Sequence, residues 1–510
     1  MHRRLHGPRV RQGLALLASV LLAPSALAAP ATDVALAAPA AAPAAVAPPS
    51  LDPADLKPRI DAILAAKALT GATIGVQAVD LATGAVLYSR NPDVALNPAS
   101  NIKLVTTAAA LALLGPEHRY VTRVYVAKKT LKGNTVDGDL YLRGGGDPAL
   151  VTADLYQLAS DLRALGITRV TGGLVLDTTL FDRDQLPPGF EQKEELVAYR
   201  SPGGALSVNF GTFVVLVRAG KASGEPALAA IDPPVPSIKL ETTATTAEGA
   251  RARLGVSLVP ADKGHELTLK LSGTIGLDAE PAEYRYPVTH PAEYTAEVFK
   301  LVLQHRGIKL GKPTIKLAAV PGDATRLAIV RSQPLSVLVR SVNKLSNNYM
   351  AEHILKTLDP ATPQTYAGGL QRVHAWLAEQ GLATAGFSMT NGSGLYDTNR
   401  VTAAQLAGLL VRVHRDFRIA GDFLASLAIA GADGTMRSRL QDSPAQRFVR
   451  AKTGTLDEVS ALAGYAGAVG KTPVVFAILV GGLDRWKAAG VKQAQNEIAA
   501  LLAAAVAARP

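Results

Sequence analysis

Apolar positions along the chain fall into two textures. Over residues 52–68, Leu56, Ile60, Ile63 and Leu64 recur at helical spacing, which predicts a helix with one apolar side. TIGVQAVDL, then ATG, then AVLYSR reads as two strands and a turn. LNPAS interrupts this pattern. A helix is predicted over 100–114, with Ile102, Val105 and Ala109 as its buried stripe, Leu113 extending it and Gly115-Pro116 stopping it. From Tyr120 to about Arg285 short strands dominate, among them YVTRVYVAKK, GDLYLRG, TFVVLVRAG and ELTLKLSG, with one helix over about 153–165. Helical spacing returns in THPAEYTAEVFKLVLQHRG and recurs at 334–345, 349–357, 366–380, 401–415 and 484–507. Two apolar strands, SALAGYAGAVG and TPVVFAILVGG, precede the last helix. No motif repeats at a fixed period.

This order predicts an α/β fold in which helices pack around a sheet built from both chain ends. The strand-rich middle, 121–285, is an insertion between 51–120 and 286–510. Residues 1–28 stand apart. A basic head, MHRRLHGPRVR, precedes the apolar run GLALLASVLLAPS and the small-residue site ALA, the pattern of a secretory signal cleaved after Ala28. Residues 29–50 are almost all Ala and Pro and read as a linker. These features predict an exported protein of the periplasm or cell envelope.

Composition narrows the chemistry. The 510 residues contain no cysteine, so thiol nucleophiles, disulfides and Cys-ligated zinc are excluded. The formal charge is +11, falling to +7 once Arg3, Arg4, Arg9 and Arg11 leave with the signal. No Lys/Arg run carries interleaved aromatics, which argues against a nucleic-acid partner.

Three short motifs carry candidate chemistry. Ser100 and Lys103 lie three residues apart at a predicted helix start, so both side chains share one face. A serine hydroxyl needs an adjacent base to become a nucleophile. The helix start offers unpaired N–H groups for a developing oxyanion. Lys103 would act as base only if burial or a second cation lowered its pKa. The same spacing recurs at Ser341 and Lys344, but Ser341 is mid-helix and off the apolar stripe. Ser346-Asn347-Asn348 sits at the join of two helical patterns, where its side chains either cap a helix or face a cleft. Lys452-Thr453-Gly454 follows a short strand, which would turn Lys452 and Gly454 to the same side.

In this order, Ser-x-x-Lys, Ser-x-Asn and Lys-Thr-Gly form the signature of penicillin-recognising serine enzymes. Ser346 lies 246 positions after Ser100, a separation that exceeds what the compact β-lactamases hold. GDLYLRGGGDPAL, NGSGLYDTNRVTAAQL, GADGTMRSRL and VRAKTGTLDEVSALAGY resemble the class C low-molecular-mass penicillin-binding proteins, which are D-alanyl-D-alanine carboxypeptidases and endopeptidases. The resemblance implies a β-lactamase/transpeptidase-like domain with a large insertion after the Ser100 helix. It implies that Ser100 is acylated, that Lys103 is the base, and that Ser346, Asn348 and Lys452 complete the catalytic set. Thr453, Gly454 and Thr455 would bind substrate, with the N–H groups of Ser100 and Thr455 as oxyanion hole. It implies peptidoglycan peptide stems as substrate, β-lactams as inhibitors and no cofactor or metal, and it assigns no oligomeric state. Asn347 departs from the Asp that many members carry there.

Two other readings remain beside it. One is a non-catalytic protein that only holds wall peptide; the other is a β-lactamase-type hydrolase, which needs fast deacylation. A Ser-His-Asp hydrolase fits less well, because NGSGLY around Ser393 lacks the spacing of a nucleophile elbow. No H-E-x-x-H occurs, and His353 and His374 read as ordinary helix residues.

Overall fold

The computed structural model describes residues 55–262 and 264–509. The signal sequence and the Ala/Pro-rich linker lie outside these residues. Among the described residues no helix is long and apolar enough to cross a membrane.

One six-stranded antiparallel sheet organises the part of the chain that carries the three motifs. Its spatial order is Ala428–Ile429, Val449–Leu456, Val459–Ala468, Lys471–Gly481, Thr73–Asp80 and Val86–Arg90, so it draws on both chain ends. Helices cover both faces. Val475, Ala477 and Leu479 face the cluster formed by the helices Ile102–Leu114, Leu335–Leu345, Asn348–Thr357 and Ala403–Arg415. Val474, Phe476, Ile478 and Val480 face the helices Leu56–Leu64 and Ala488–Ala507. A strand buried on both faces has no polar side, which is why PVVFAILVGG reads as a continuous apolar run.

The helix Ile102–Leu114 runs through this core. Every residue from Ile102 to Leu111 is buried, so the stripe of Ile102, Val105 and Ala109 understates its burial. Lys103 lies inside this stretch, and its burial sets its chemistry.

The inserted region has its own apolar cluster and mixed sheets. Its extent corrects the boundary expected at 286. The helix Pro291–His305 contributes Tyr294, Val298, Phe299 and Val302 to the insertion's cluster. Lys309–Leu310 and Ile315–Leu317 pair in parallel with Arg169–Val170 and Leu174–Asp177. Thr325–Arg331 pairs antiparallel with Val121–Val126. Residues 291–331 therefore belong with the insertion, and the chain returns to the other core at the helix Leu335–Leu345. An amphipathic pattern shows that a helix has an apolar side but not which core receives it.

The insertion grips the helix Asn348–Thr357 along its length. Asn348 Nδ2 donates to the Tyr199 carbonyl at 3.0 Å. Lys356 Nζ pairs with Asp182 and donates to the Asp184 carbonyl. Between them, buried His353 faces the Tyr349 carbonyl through Nδ1 at 3.0 Å and accepts from the Gly204 N–H through Nε2 at 3.2 Å. Only neutral imidazole keeps that acceptor. Burial pushes its pKa down to about 4 from the usual 6.5. The folded pKa is the lower one, so this stabilisation is complete above 6.5 and is lost as pH falls through about 4. At one pKa unit per 1.36 kcal/mol the loss is on the order of 3 kcal/mol. Urea midpoints of wild type should therefore fall more steeply between pH 7 and 4 than those of His353→Gln; parallel slopes would discard the assignment.

Candidate active site

Ser100 sits in a single 3₁₀ turn, Ala99–Asn101, that leads directly into the buried helix. Ala99 has φ 45°, an unfavourable conformation for a residue with a side chain, immediately before Ser100. Ser100 itself is half-buried. Lys103, three residues on, is fully buried.

Lys103 Nζ has three oxygen neighbours. It donates to Ser100 Oγ at 2.9 Å and to Asn348 Oδ1 at 2.8 Å. It also donates to the backbone carbonyl of Ser393. Burial pushes its pKa well below the ordinary lysine value; the charge of Lys452 pushes it further, and that of Glu352 opposes them. Desolvation and a like charge both disfavour the ammonium form.

The Ser346-Asn347-Asn348 corner divides its work by position. Ser346 ends the helix Leu335–Leu345 in a left-handed conformation, φ 58° and ψ 39°. Asn347 caps the next helix, its Oδ1 accepting from the Met350 N–H at 3.0 Å. Capping thus falls to Asn347, which frees Ser346 and Asn348 to face the cleft. Asn348 points Oδ1 at Lys103 and Nδ2 at the insertion.

Lys452 stands on the strand Val449–Leu456, opposite Ala463, and is fully buried. Its Nζ donates to Ser346 Oγ at 2.9 Å and to the Thr453 carbonyl at 2.8 Å. Burial lowers its pKa to about 7. Gly454 brings this strand against the Ser100 turn: a Cβ there would lie 2.6 Å from the Pro98 carbonyl oxygen. Thr453 Oγ1 donates to Thr435 Oγ1 at 2.8 Å, and Thr455 is exposed, opposite Ser460 beside the hairpin turn to the next strand.

The structure thus brings Ser100, Lys103 and Asn348 into one hydrogen-bonded set and Ser346 and Lys452 into a second beside it. Lys344 of the duplicate motif does something else. Its Nζ pairs with Asp433 at 2.6 Å, tying the Gly434–Met436 turn to the helix Leu335–Leu345. Three participants carry no signal in the motifs: the Ser393 carbonyl, the Tyr199 carbonyl and the Glu352 carboxylate. The first two are backbone atoms, which any residue type supplies.

The arrangement can activate a hydroxyl, receive its proton on a buried amine, and hold an anion at a second amine. Known proteins share both sequence and fold with this chain. Residues 56–505 match the model of the D-Ala-D-Ala carboxypeptidase 3 (S13) family. A D-alanyl-D-alanine carboxypeptidase from Actinomadura sp. is 36% identical over 426 residues, covering 81% of this chain and 78% of that protein. A D-alanyl-D-alanine carboxypeptidase from Haemophilus influenzae is 26% identical over 402 residues, covering 78% and 82%. The crystal structure of penicillin binding protein 4 from H. influenzae superposes with a TM-score of 0.74 at 24% identity, covering 86% of this chain and 99% of that one.

Proposed function

The chain belongs to the D-Ala-D-Ala carboxypeptidase 3 (S13) family and is a serine-type D-alanyl-D-alanine carboxypeptidase, and from that premise we propose how its residues divide the reaction. The carrying observation is the 2.9 Å contact between Ser100 Oγ and the Nζ of a fully buried lysine. When Lys103 is neutral the same line carries the proton from the hydroxyl to the amine. Ser100 Oγ then attacks the carbonyl carbon of the penultimate D-alanine, with the N–H groups of Ser100 and Thr455 receiving the oxyanion.

Lys452, with Thr453 and Thr455, binds the terminal carboxylate. An incoming carboxylate favours the ammonium form of Lys452, whose own pKa is near 7. Binding substrate therefore charges Lys452, and that charge keeps its neighbour Lys103 neutral. Ser346, hydrogen-bonded to Lys452, relays the proton that Lys103 took up to the leaving amine as the peptide C–N bond breaks, which leaves Lys103 neutral again and Ser346 a hydroxyl. Asn348 holds the acyl side. Water hydrolyses the ester and regenerates Ser100. A β-lactam enters the same first step, but its acyl-enzyme breaks down slowly. The complex of the H. influenzae protein with a β-lactam supports this reading for the shared fold.

Peptidoglycan stems are the substrate, and the signal read in residues 1–28 would place the enzyme outside the cytoplasm beside them. Residues 121–331 act as the inserted region, and their grip on the Asn348 helix supports a role in holding the site. Mass spectrometry of digested peptidoglycan tests the activity. Loss of the terminal alanine from pentapeptide stems is expected, and loss of cross-linked dimers reports D,D-endopeptidase action. Stems and cross-links both left intact by folded enzyme would favour a protein that only holds wall peptide.

A further inference from the structure

One turn after Asn348, the same helix carries a buried carboxylate that none of the three motifs contains. Glu352 is 4% exposed, and among the described residues no lysine or arginine forms an ion pair with it. Adjacent backbone donors occupy both of its oxygens. The Gly392 N–H reaches Oε2 at 3.0 Å and the Ser393 N–H reaches Oε1 at 2.7 Å. Burial pushes the Glu352 pKa up, while the Ser393 side chain, these two N–H donors and the charge of Lys103 oppose that shift and favour the anion. The Ser393 carbonyl accepts from Lys103 Nζ. Thr106, on the helix of Lys103, donates to the Gly392 carbonyl at 2.8 Å. Gly394 closes the turn at φ 74°, where a Cβ would lie 2.0 Å from the Ala99 carbonyl oxygen.

A charge buried this deeply costs several kcal/mol unless its surroundings compensate it. Packing alone calls for no charge here. We propose that Glu352 is a positioning residue for the base: it clamps the Gly392–Ser393 backbone so that the Ser393 carbonyl and Asn348 hold Lys103 Nζ on the Ser100 hydroxyl, and its negative charge opposes the field of Lys452. The inference rests on the roles given to Ser100 and Lys103 above.

The charged and titratable groups around Glu352 are few. Lys103 faces it from the central helix, and Lys452 acts on Lys103 in turn. Tyr366, from the next helix, is held un-ionised by burial and by Glu352 itself. On its own helix, His353 is kept neutral and Lys356 is paired with Asp182. Removing the carboxylate charge leaves burial and Lys452 acting on Lys103 unopposed, so the base stays neutral to lower pH. A side chain that served only packing would leave that titration where it is.

Acylation by fluorescent penicillin, followed over roughly pH 5 to 9 in purified wild type and Glu352→Gln, reads both effects. In Glu352→Gln the maximal acylation rate should fall by about 10- to 100-fold through misplacement of the base, with the dissociation constant for penicillin unchanged. The acidic limb of the profile should move to lower pH. Glu352→Asp keeps the charge, so its limb should stay near wild type while its rate falls. A limb that does not move in Glu352→Gln, or a maximal rate within about threefold of wild type, overturns the proposal. If neither Glu352 variant folds, Thr106→Val loosens the same turn: slower acylation at unchanged penicillin affinity supports the clamp, and unchanged acylation overturns it. Ser100→Ala in the same assay separates two failures. Label retained there sinks the acylation roles, whereas label lost there with Glu352→Gln unaffected sinks only the clamp.

Discussion

Ser100→Ala will carry no covalent penicillin. The hydroxyl is the only atom this substitution removes, and no other nucleophile adjoins the Lys103 amine in the contacts described above. Folding should be close to unaffected, since Ser100 is half-buried and the loss of one hydroxyl hydrogen bond costs about 1 kcal/mol. The duplicate motif supplies the control. Ser341 lies within the helix Leu335–Leu345, and its would-be partner Lys344 is committed to Asp433 at 2.6 Å. Ser341→Ala should therefore label like wild type. Gel fluorescence of both variants after incubation with a fluorescent penicillin decides the matter. If Ser341→Ala lost the label while Ser100→Ala kept it, the nucleophile would be the other serine and the active-site geometry above would have no catalytic meaning.

The contrast between these two serines shows what was legible in the sequence. The motif order and the helix-start position favoured Ser100, and the family resemblance named the fold. A sheet drawing on both chain ends was readable because its central strands are apolar on both faces and the helices around it carry 3.6-residue patterns, whereas its two-residue edge strand Ala428–Ile429 was not. The extent of the insertion was not. Thr325–Arg331 finds its partner about two hundred residues earlier in Val121–Val126, and two-residue strands such as Lys309–Leu310 carry no periodicity to detect. The short helix Ala420–Ser426 escaped for the same reason. Within the site, side chains with a motif were legible and their supports were not. The Ser393 and Tyr199 carbonyls hold Lys103 and Asn348 by backbone atoms, and only the folded chain brings them there. Glu352 occupies an ordinary helix position, and nothing in its neighbours along the chain marks it as facing residues 392 and 393.

Lys103→Met should slow acylation by roughly a hundred- to ten-thousandfold, the range a positioned general base contributes. Methionine is close to lysine in length and volume, so the change removes the amine without opening a large cavity in the buried helix. Two acceptors lose their donor, Asn348 Oδ1 and the Ser393 carbonyl. Each unsatisfied buried group costs about 1–3 kcal/mol, so the variant should also unfold at lower temperature. Stability loss alone does not explain the rate, because a folded fraction of unchanged chemistry would acylate at the wild-type rate per folded molecule. The pH profile separates the two further. In wild type the base must be neutral, so acylation rises as pH passes upward through the pKa of Lys103, which burial and Lys452 hold well below the ordinary lysine value. With the amine gone that limb should vanish, leaving slow acylation that no longer follows this titration. Stopped-flow or quench measurement of the single-turnover acylation rate, normalised to folded protein, is the test. A Lys103→Met enzyme that acylates within about tenfold of wild type and keeps the acidic limb would remove Lys103 from the role of base. Lys452, whose pKa near 7 and hydrogen bond to Ser346 make it the next amine in line, would then be the group to which the proton goes.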